Sequence, residues 1–297
     1  MRITALSDLP AGAGVGRVAV GTFDGVHLGH RDVIAGADAV LTFEHHPVAV
    51  VAPAHTPRLL TPLAIKADII ASLGVSELIM IHFDADFAAR SAEQFVQEVL
   101  VERLAADSVS VGENFRFGRA AKGDAALLAA DPRFETRVVA LRELDGEVIS
   151  SSHIRSLIAA GEVARAAKLL GAPFELRGIV VRGDQRGREL GFPTANLVPD
   201  EALVGPGHGV YACFANGKPA AVNVGVRPTF DTGRGELIEA FLIDFQGDLY
   251  GSELRLHFLE KLRGERRFES AQALVEAMHD DVARARAICA SASFGGR

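Results

Sequence analysis

The stretch "GTFDGVHLGH", residues 21–30, follows the apolar run Val18-Ala19-Val20 and holds three glycines, one acid and two histidines, with no lysine or arginine. If a helix begins there, His27 and His30 lie on one face, one turn apart. Two imidazoles so placed can hydrogen-bond one phosphate group and stabilise the charge on it during displacement at phosphorus. Gly25 permits a tight turn after Asp24, and Gly29 lets a nucleotide or its phosphates approach the backbone. Two other readings compete. A metal pair lacks the third ligand that catalytic zinc needs, and any H-x-x-H can be two ordinary surface histidines beside turn-forming glycines.

Three further constellations carry chemistry. In "VGENFRFG" (111–118), Asn114 offers an amide and Phe115 and Phe117 offer ring faces to a planar ligand, or the rings belong to a strand-end core. In "ISSSHIR" (149–155), Ser151, Ser152 and Arg155 converge at one helix start, as an anion site or as a plain cap with a solvated arginine. In "GDQRGRELGFPTANL" (183–197), Gly187 and Gly191 supply a flexible loop and Pro193 excludes a helix interior. Thr194 and Asn196, two apart, face one side of an extended segment and are hard ligands suited to Mg²⁺ shared with nucleotide phosphates. Backbone N–H groups of the preceding loop can hold those phosphates, for no Walker lysine motif occurs. The other reading is a loop entering an edge strand. Downstream, "LIEAFLID" (237–244) is apolar on both faces except at Glu239 and at Asp244 near its end. A carboxylate inside a buried strand is expensive unless functional or neutralised, for instance by Arg227. As a functional group it is a base beside an alcohol that accepts a phosphoryl group.

Elements that could position these groups alternate in the first half. Val18–Gly21, Ala39–Phe43, Glu77–Phe83, Ser108–Gly112 and Arg137–Leu141 read as strands. Pro62–Leu73 and Ser91–Leu104 read as amphipathic helices, the latter with a Ser91/Gln94 capping box. The alternation predicts a parallel sheet with covering helices, whose ligands gather at the carboxyl ends of the strands where the topology switches. Two helices, Ser152–Ala160 and Glu162–Leu170, precede "LLGAPF" (169–174), where Gly171 sits as a C-cap residue and Pro173 stops continuation. Beyond it, short strands at Glu175–Arg182, Ala195–Val198, Val210–Ala215, Ala220–Val226, Leu237–Phe245 and Glu253–Leu259 predict a small antiparallel barrel or sandwich, closed by a helix from Ser270 to Ala290. The fold class is therefore α/β plus β, with the boundary near Ala172.

The 297 residues suffice for two such domains. No run reaches membrane-spanning length, and the N-terminus reads as no signal peptide. Two cysteines make neither a disulfide framework nor a thiolate zinc site, which fits a reducing cytoplasm. A net charge of −7 argues against broad nucleic-acid or anionic-membrane binding.

The motifs, in order, resemble those of bacterial bifunctional riboflavin kinase/FAD synthetases. "GTFDGVHLGH" resembles their nucleotidyltransferase signature, "TFEHHP" (42–47) their T-F-[DE]-P-H-P, "VGENFRFG" their G-x-[DN]-F-x-F-G and "ISSSHIR" their I-S-S-T-x-I-R. "GRELGFPTAN" is similar to the riboflavin kinase signature, and "GVYA", "VNVGVRPTF", "DFQGDLYG" and "FLEKLRGERRF" follow in family order. The resemblance implies a Rossmann-like nucleotidyltransferase domain over 1–172 and a riboflavin kinase barrel over 173–297. It implies ATP binding at Gly21, Phe23, Asp24, Gly25, His27, Gly29, His30, Ser151, Ser152 and Arg155, with His27, His30 and Arg155 catalytic. His46, Asn114 and Phe115 would meet the flavin. In the kinase, Gly183, Gly187, Arg188, Gly191, Pro193, Thr194 and Asn196 would bind ATP, Thr194 and Asn196 would hold Mg²⁺, and Glu239 would be the base on the riboflavin 5′-hydroxyl. The partners implied are small molecules (ATP, riboflavin, FMN and FAD), for a cytoplasmic monomer or weak homo-oligomer. Two departures stand out. His45 replaces the family's proline, and only "RDVIAGAD" separates His30 from the next strand, a connection shorter than the family's. Counted from His27 it just meets the roughly 10–12 residues a parallel crossover needs, with a helix of about two turns. The alternatives are a monofunctional riboflavin kinase with an impaired adenylyltransferase domain, a non-catalytic flavin- or nucleotide-sensing module, and a nucleotidyltransferase for another substrate.

Overall fold

The computed structural model describes residues 1–182, 191–226 and 236–292. The chain divides into two compact units, Met1–Ser151 and Ser152–Arg297.

In the first unit, β1 (Arg2–Ala5), β2 (Gly16–Val20), β3 (Ala39–Phe43), β4 (Glu77–Ile81), β5 (Ala106–Gly112) and β8 (Glu135–Val139) form one parallel sheet. Its order is β1-β4-β3-β2-β5-β8. Small hairpins pair β6 (Arg116–Phe117) with β7 (Gly123–Asp124) and β9 (Glu143–Leu144) with β10 (Glu147–Val148). The helices are α1 (Leu28–Ile34), α2 (Val48–Val51), α3 (Leu63–Ser72), α4 (Ala85–Ala88), α5 (Ala92–Gln94) and α6 (Ala125–Ala129). Both sheet faces are covered, so the central strands read as continuous apolar runs. Val20, Leu41, Ile79 and Val109 pack under Phe95 and Leu100 on one face, while Ala19, Val40 and Leu78 pack under Ile34 and Ile70 on the other. The chain runs from β2 to β3 and β4 on one side and then crosses back to β5 on the other side of β2, so the order reverses at β2/β5. Residues 21–30 leave β2 at that reversal and residues 113–118 leave β5 beside it, where crevices form in open parallel sheets.

The short helices α2, α4 and α6 and the two hairpins were not foreseen, and three further elements differ from expectation. β1 was not foreseen: four residues on an edge, half of them exposed, carry no periodic signal. β8 lies two residues earlier than Arg137–Leu141, and as an edge strand it has no buried face to fix its limits. The helix predicted over 91–104 opens with the Ser91/Gln94 capping box but continues from Phe95 to Arg103 as a π-helix. Its buried residues Phe95, Val96, Val99, Leu100 and Leu104 form one face against the sheet.

In the second unit, α7 (Ser151–Ala160), which starts on the last residue of the first, and α8 (Val163–Leu170) precede a closed barrel. Gly171 ends α8 in the left-handed conformation (φ 72°) a C-cap requires. The barrel strands are β11 (Phe174–Val181), β12 (Ala195–Leu197), β13 (Gly209–Ala215), β14 (Lys218–Val226), β15 (Glu236–Leu242) and β16 (Glu253–Arg263), in the order β11-β12-β15-β14-β13-β16 with every pair antiparallel. A terminal helix, α9 (Ala271–Ser291), is capped by the Ser270 hydroxyl, which accepts from Ala273 N–H at 3.1 Å. Its Ala285 packs with Val210, Ala212 and Ala221 on the outside of the barrel. The expectation that β15 is buried on both faces is corrected. Ile238, Ala240 and Leu242 point into the closed barrel and are buried, whereas Leu237, Glu239 and Phe241 are half-buried on its outer face.

Candidate active sites

Residues 21–27 form a strained, braced loop. Phe23 (φ 50°) and Val26 (φ 40°) adopt backbone angles that L residues rarely take, at a cost of about 1–3 kcal/mol each. Gly25 takes φ 87°, and its N–H donates to Thr61 Oγ1 at 3.1 Å. A side chain at Gly21 would meet the Phe23 ring at 2.9 Å, so that ring, buried in the loop, requires the glycine. The buried Asp24 carboxylate accepts from Leu60 N–H (2.9 Å) and Thr61 N–H (3.2 Å). Thr22 O receives Lys66 Nζ at 2.9 Å and Thr42 Oγ1 at 3.1 Å. Ser151 Oγ donates to Asp24 O at 2.9 Å. Asp24 and Ser151 thus brace the loop.

His27 caps α1: its Nδ1 accepts from His30 N–H at 3.2 Å. The neutral ring therefore carries its proton on Nε2, which leaves Nε2–H as the donor. The two imidazoles stack at 3.5 Å between centroids, and the Phe23 ring meets His30 edge-on at 5.4 Å. Burial pushes the His27 pKa down to about 4. His30 is held well below the ordinary histidine value by burial first, then by the nearby His27 and Lys66. Both rings are neutral near pH 7 and act as hydrogen-bond donors rather than cations. His30 Nδ1 is buried without a hydrogen-bond partner, an exception to the rule that buried polar atoms are paired. The short helix does not leave these rings loose. Val33 and Ile34 are buried beneath it, Ser110 Oγ donates to Val33 O (2.7 Å), and Arg137 donates to the carbonyls of Ala35 and Asp32 at its end. A side chain at Gly29 would touch the His27 ring at 3.4 Å, an ordinary contact.

Past β3, the half-buried His46 accepts from Val48 N–H through Nδ1 at 3.3 Å. Past β5, Asn114 is exposed, Phe115 is half-buried, and Phe115 stacks on Phe117 at 5.4 Å. Phe117 itself is core, packed on Phe95 at 5.3 Å. Phe115 packs against the same core cluster and is only half-buried, so the two rings differ in exposure. Ser152 and Arg155 belong to the second unit, where Arg155 Nη1 donates to the Ser152 hydroxyl at 3.3 Å.

On the barrel, Asn196, Glu239 and Asn223 are backbone partners in one row across β12, β15 and β14. Antiparallel partners share a face, so these three polar side chains stand together on the outer surface. Asn223 Nδ2 donates to Glu239 Oε2 at 3.3 Å. The buried Asn196 donates from Nδ2 to Thr194 O at 3.3 Å, which leaves its amide oxygen as a ligand atom. Phe192, buried, meets Phe241 edge-on at 5.2 Å and the His279 ring of α9 at 5.0 Å. Gly191 (φ 87°) and the exposed Pro193 lead into β12, outside its ladder. Gly183, Gly187, Arg188 and Arg227 lie outside the described residues. The donor pair fits Mg²⁺: the Thr194 hydroxyl and the Asn196 amide oxygen are hard oxygens, and Mg²⁺ ordinarily takes few protein ligands beside phosphates and waters. No group of three His, Cys, Asp or Glu among the described residues forms a denser metal cage.

Sequence reasoning missed Thr61, Lys66 and Asn223. Lys66 interrupts the apolar positions of α3 and is buried, which lowers its pKa to about 8. Asn223 interrupts the apolar "AAVNVGV" of β14. A lone polar residue in an apolar element was the available signal in both.

A family model described as FAD synthetase matches residues 13–153, and one described as riboflavin kinase matches residues 170–289. Bifunctional riboflavin kinase/FMN adenylyltransferases are similar over most of their length. That of Listeria monocytogenes is 36% identical, covering 92% of each chain, and that of Bacillus subtilis is 37% identical, covering 89% of each. The Escherichia coli K12 protein is 36% identical over 90% of each chain. A crystal structure of a macrolide-efflux protein from Streptococcus pneumoniae superposes with a TM-score of 0.88 at 30% identity, covering 96% of this chain and 99% of that one. Among the described residues, no helix is long and apolar enough to cross a membrane. With relatives above 30% identity along nearly the whole chain and both family models matched in order, this chain belongs to the bifunctional riboflavin kinase/FMN adenylyltransferase family.

Proposed function

We propose that this chain makes FAD from riboflavin in two steps, with riboflavin kinase chemistry in residues 173–297 and FMN adenylyltransferase chemistry in residues 1–172. In the first step Glu239 accepts the proton of the riboflavin 5′-hydroxyl as that oxygen attacks the γ-phosphorus of ATP, releasing ADP. Thr194 and Asn196 hold Mg²⁺, whose contribution is neutralisation of phosphate charge. Gly191 and Pro193, with Gly183, Gly187 and Arg188, supply the nucleotide loop. In the second step an FMN phosphate oxygen attacks the α-phosphorus of a second ATP and pyrophosphate leaves. His27, through Nε2–H, and His30 donate hydrogen bonds to phosphate oxygens; as neutral donors they stabilise charge as it develops. Gly21, Phe23, Asp24, Gly25 and Gly29 shape and brace their loop, and Ser151 ties it down. For Ser152 and Arg155 the phosphate-binding role rests on their motif, as does the flavin role of His46, Asn114 and Phe115.

The observation that carries this reading is that the imidazole pair sits at the sheet's reversal with an orphaned, buried His30 Nδ1. That geometry favours an active adenylyltransferase half over a decayed one. We further propose a cytoplasmic protein, a monomer or weak homo-oligomer that binds small molecules and not nucleic acid. Purified protein given riboflavin, ATP and Mg²⁺ should yield FMN and then FAD by chromatography. Protein supplied with FMN and ATP should yield FAD and pyrophosphate. FMN without FAD would leave a monofunctional kinase, and stoichiometric binding without turnover would leave a sensing module.

A further inference from the structure

We infer that Asn223 is a positioning residue for riboflavin phosphorylation, holding the Glu239 carboxylate in the orientation in which it takes the proton. The inference rests on the reading of Glu239 as base. Its Nδ2 reaches Glu239 Oε2 at 3.3 Å, and the register of β14 on β15 places both residues opposite each other on one face. Asparagine is a poor strand former, and this one stands in a run that is otherwise alanine, valine and glycine. A neutral amide also suits the task. It orients a carboxylate, whereas an arginine in its place would stabilise the anion strongly and weaken it as a base.

The surroundings limit what else Asn223 can be doing. On the same strand face its neighbours are Ala221 and Gly225, neither of which competes for its amide. A side chain at Gly225 would strike Glu265 Oε1 at 2.6 Å and come within 3.6 Å of Asn223 Nδ2. Glu265 is in turn paired with His208 at 3.7 Å. Across β15, Asn196 faces Glu239 from β12, and His279 of α9 stands behind Phe192 and Phe241. Among the described residues, Glu265 and its partner His208 lie beside Asn223 on this face, and the Asn223 amide hydrogen-bonds the Glu239 carboxylate.

The test compares Asn223→Ala, the isosteric Asn223→Asp and Glu239→Gln in the full chain, with adenylylation of supplied FMN as the control for folding. Asn223→Ala should lower kcat for FMN formation about tenfold, with KM for riboflavin and ATP changed less than about twofold. Asn223→Asp, which sets a second carboxylate opposite in place of the amide donor, should lower kcat at least as far, again with KM little changed. Unchanged kcat in both variants, with Glu239→Gln inactive as a kinase, would overturn the inference while leaving the base assignment standing. A rise in KM at constant kcat would overturn it in favour of substrate contact. Full kinase activity in Glu239→Gln would instead remove the base assignment itself.

Discussion

In the first unit the candidate site residues sit on a loop, residues 21–27, and the first turn of α1, whereas in the second they stand in a row across three strands. The loop is kept in place by hydrogen bonds from afar: Asp24 to residues 60 and 61, Lys66 and Thr42 to Thr22, Ser151 to Asp24. Its two imidazoles are electrically neutral, and its backbone is strained. The barrel row needs no such bracing, because strand register alone brings Asn196, Glu239 and Asn223 together. Its carboxylate is half-buried and its partner is an amide. A buried loop site should therefore be fragile to changes in its supports, and a ladder site fragile only in the residues that face the substrate.

The sharpest way to break that contrast is to separate the activities. Glu239→Gln should cut FMN formation by about a hundredfold or more while FMN adenylylation persists, read by flavin chromatography. Loss of both activities in folded protein would contradict independent sites. Conversely, His30→Ala should lower FAD formation from FMN by about a hundredfold and spare the kinase. His27→Asn keeps an acceptor for the α1 cap and removes the Nε2–H donor, so a similar loss without unfolding would separate chemistry from capping.

Acid should tell the two regions apart next. The His27 pKa is about 4 when folded against 6.5 for the ordinary side chain. Between those values the unfolded chain binds the proton and the folded one does not. The stability of the neutral ring is therefore complete above pH 6.5 and lost as pH falls toward 4, amounting to about 3 kcal/mol. Calorimetry across that range should show the first unit's transition falling more steeply in the native protein than in His27→Asn. Equal slopes would mean that burial of the imidazole is not what the pH dependence reports. Smaller still, Asp24→Ala should destabilise the first unit by about 2 kcal/mol, because it strands two buried N–H groups. Glu239→Ala, on a half-exposed strand face, should move the barrel's transition by less than about 0.5 kcal/mol.

Much of this was legible without coordinates. The strand-then-motif order put residues 21–30 at the end of β2 and Thr194 and Asn196 at the entry of β12, and Gly171, Ser91 and Ser270 ended or opened helices as their types imply. Glu239 stood out as a lone acid in an apolar strand, although the argument from burial on both faces failed, since barrel closure buries one face and leaves the other half-open. Likewise the short connection after His30 predicted a helix of only about two turns, and side-chain capping, ring stacking and the carbonyl contacts of Arg137 hold its histidines. Sequence spacing reports helix length and is blind to bonds that arrive from 36 or 102 residues away.

The local chemistry was therefore determined by sequence: two imidazoles one turn apart, hard oxygen donors two apart, a carboxylate among apolar neighbours, and the glycines that let their backbones turn. Propensity and period act over a few residues, and that range was enough to specify them. Tertiary structure decided which of these groups are charged, which are braced and which face one another. Burial set the protonation of His27, His30 and Lys66, and strand register set Asn223 beside Glu239. Both depend on residues far apart in the chain meeting in a low-dielectric core or a closed ladder, and no local window of sequence contains that information.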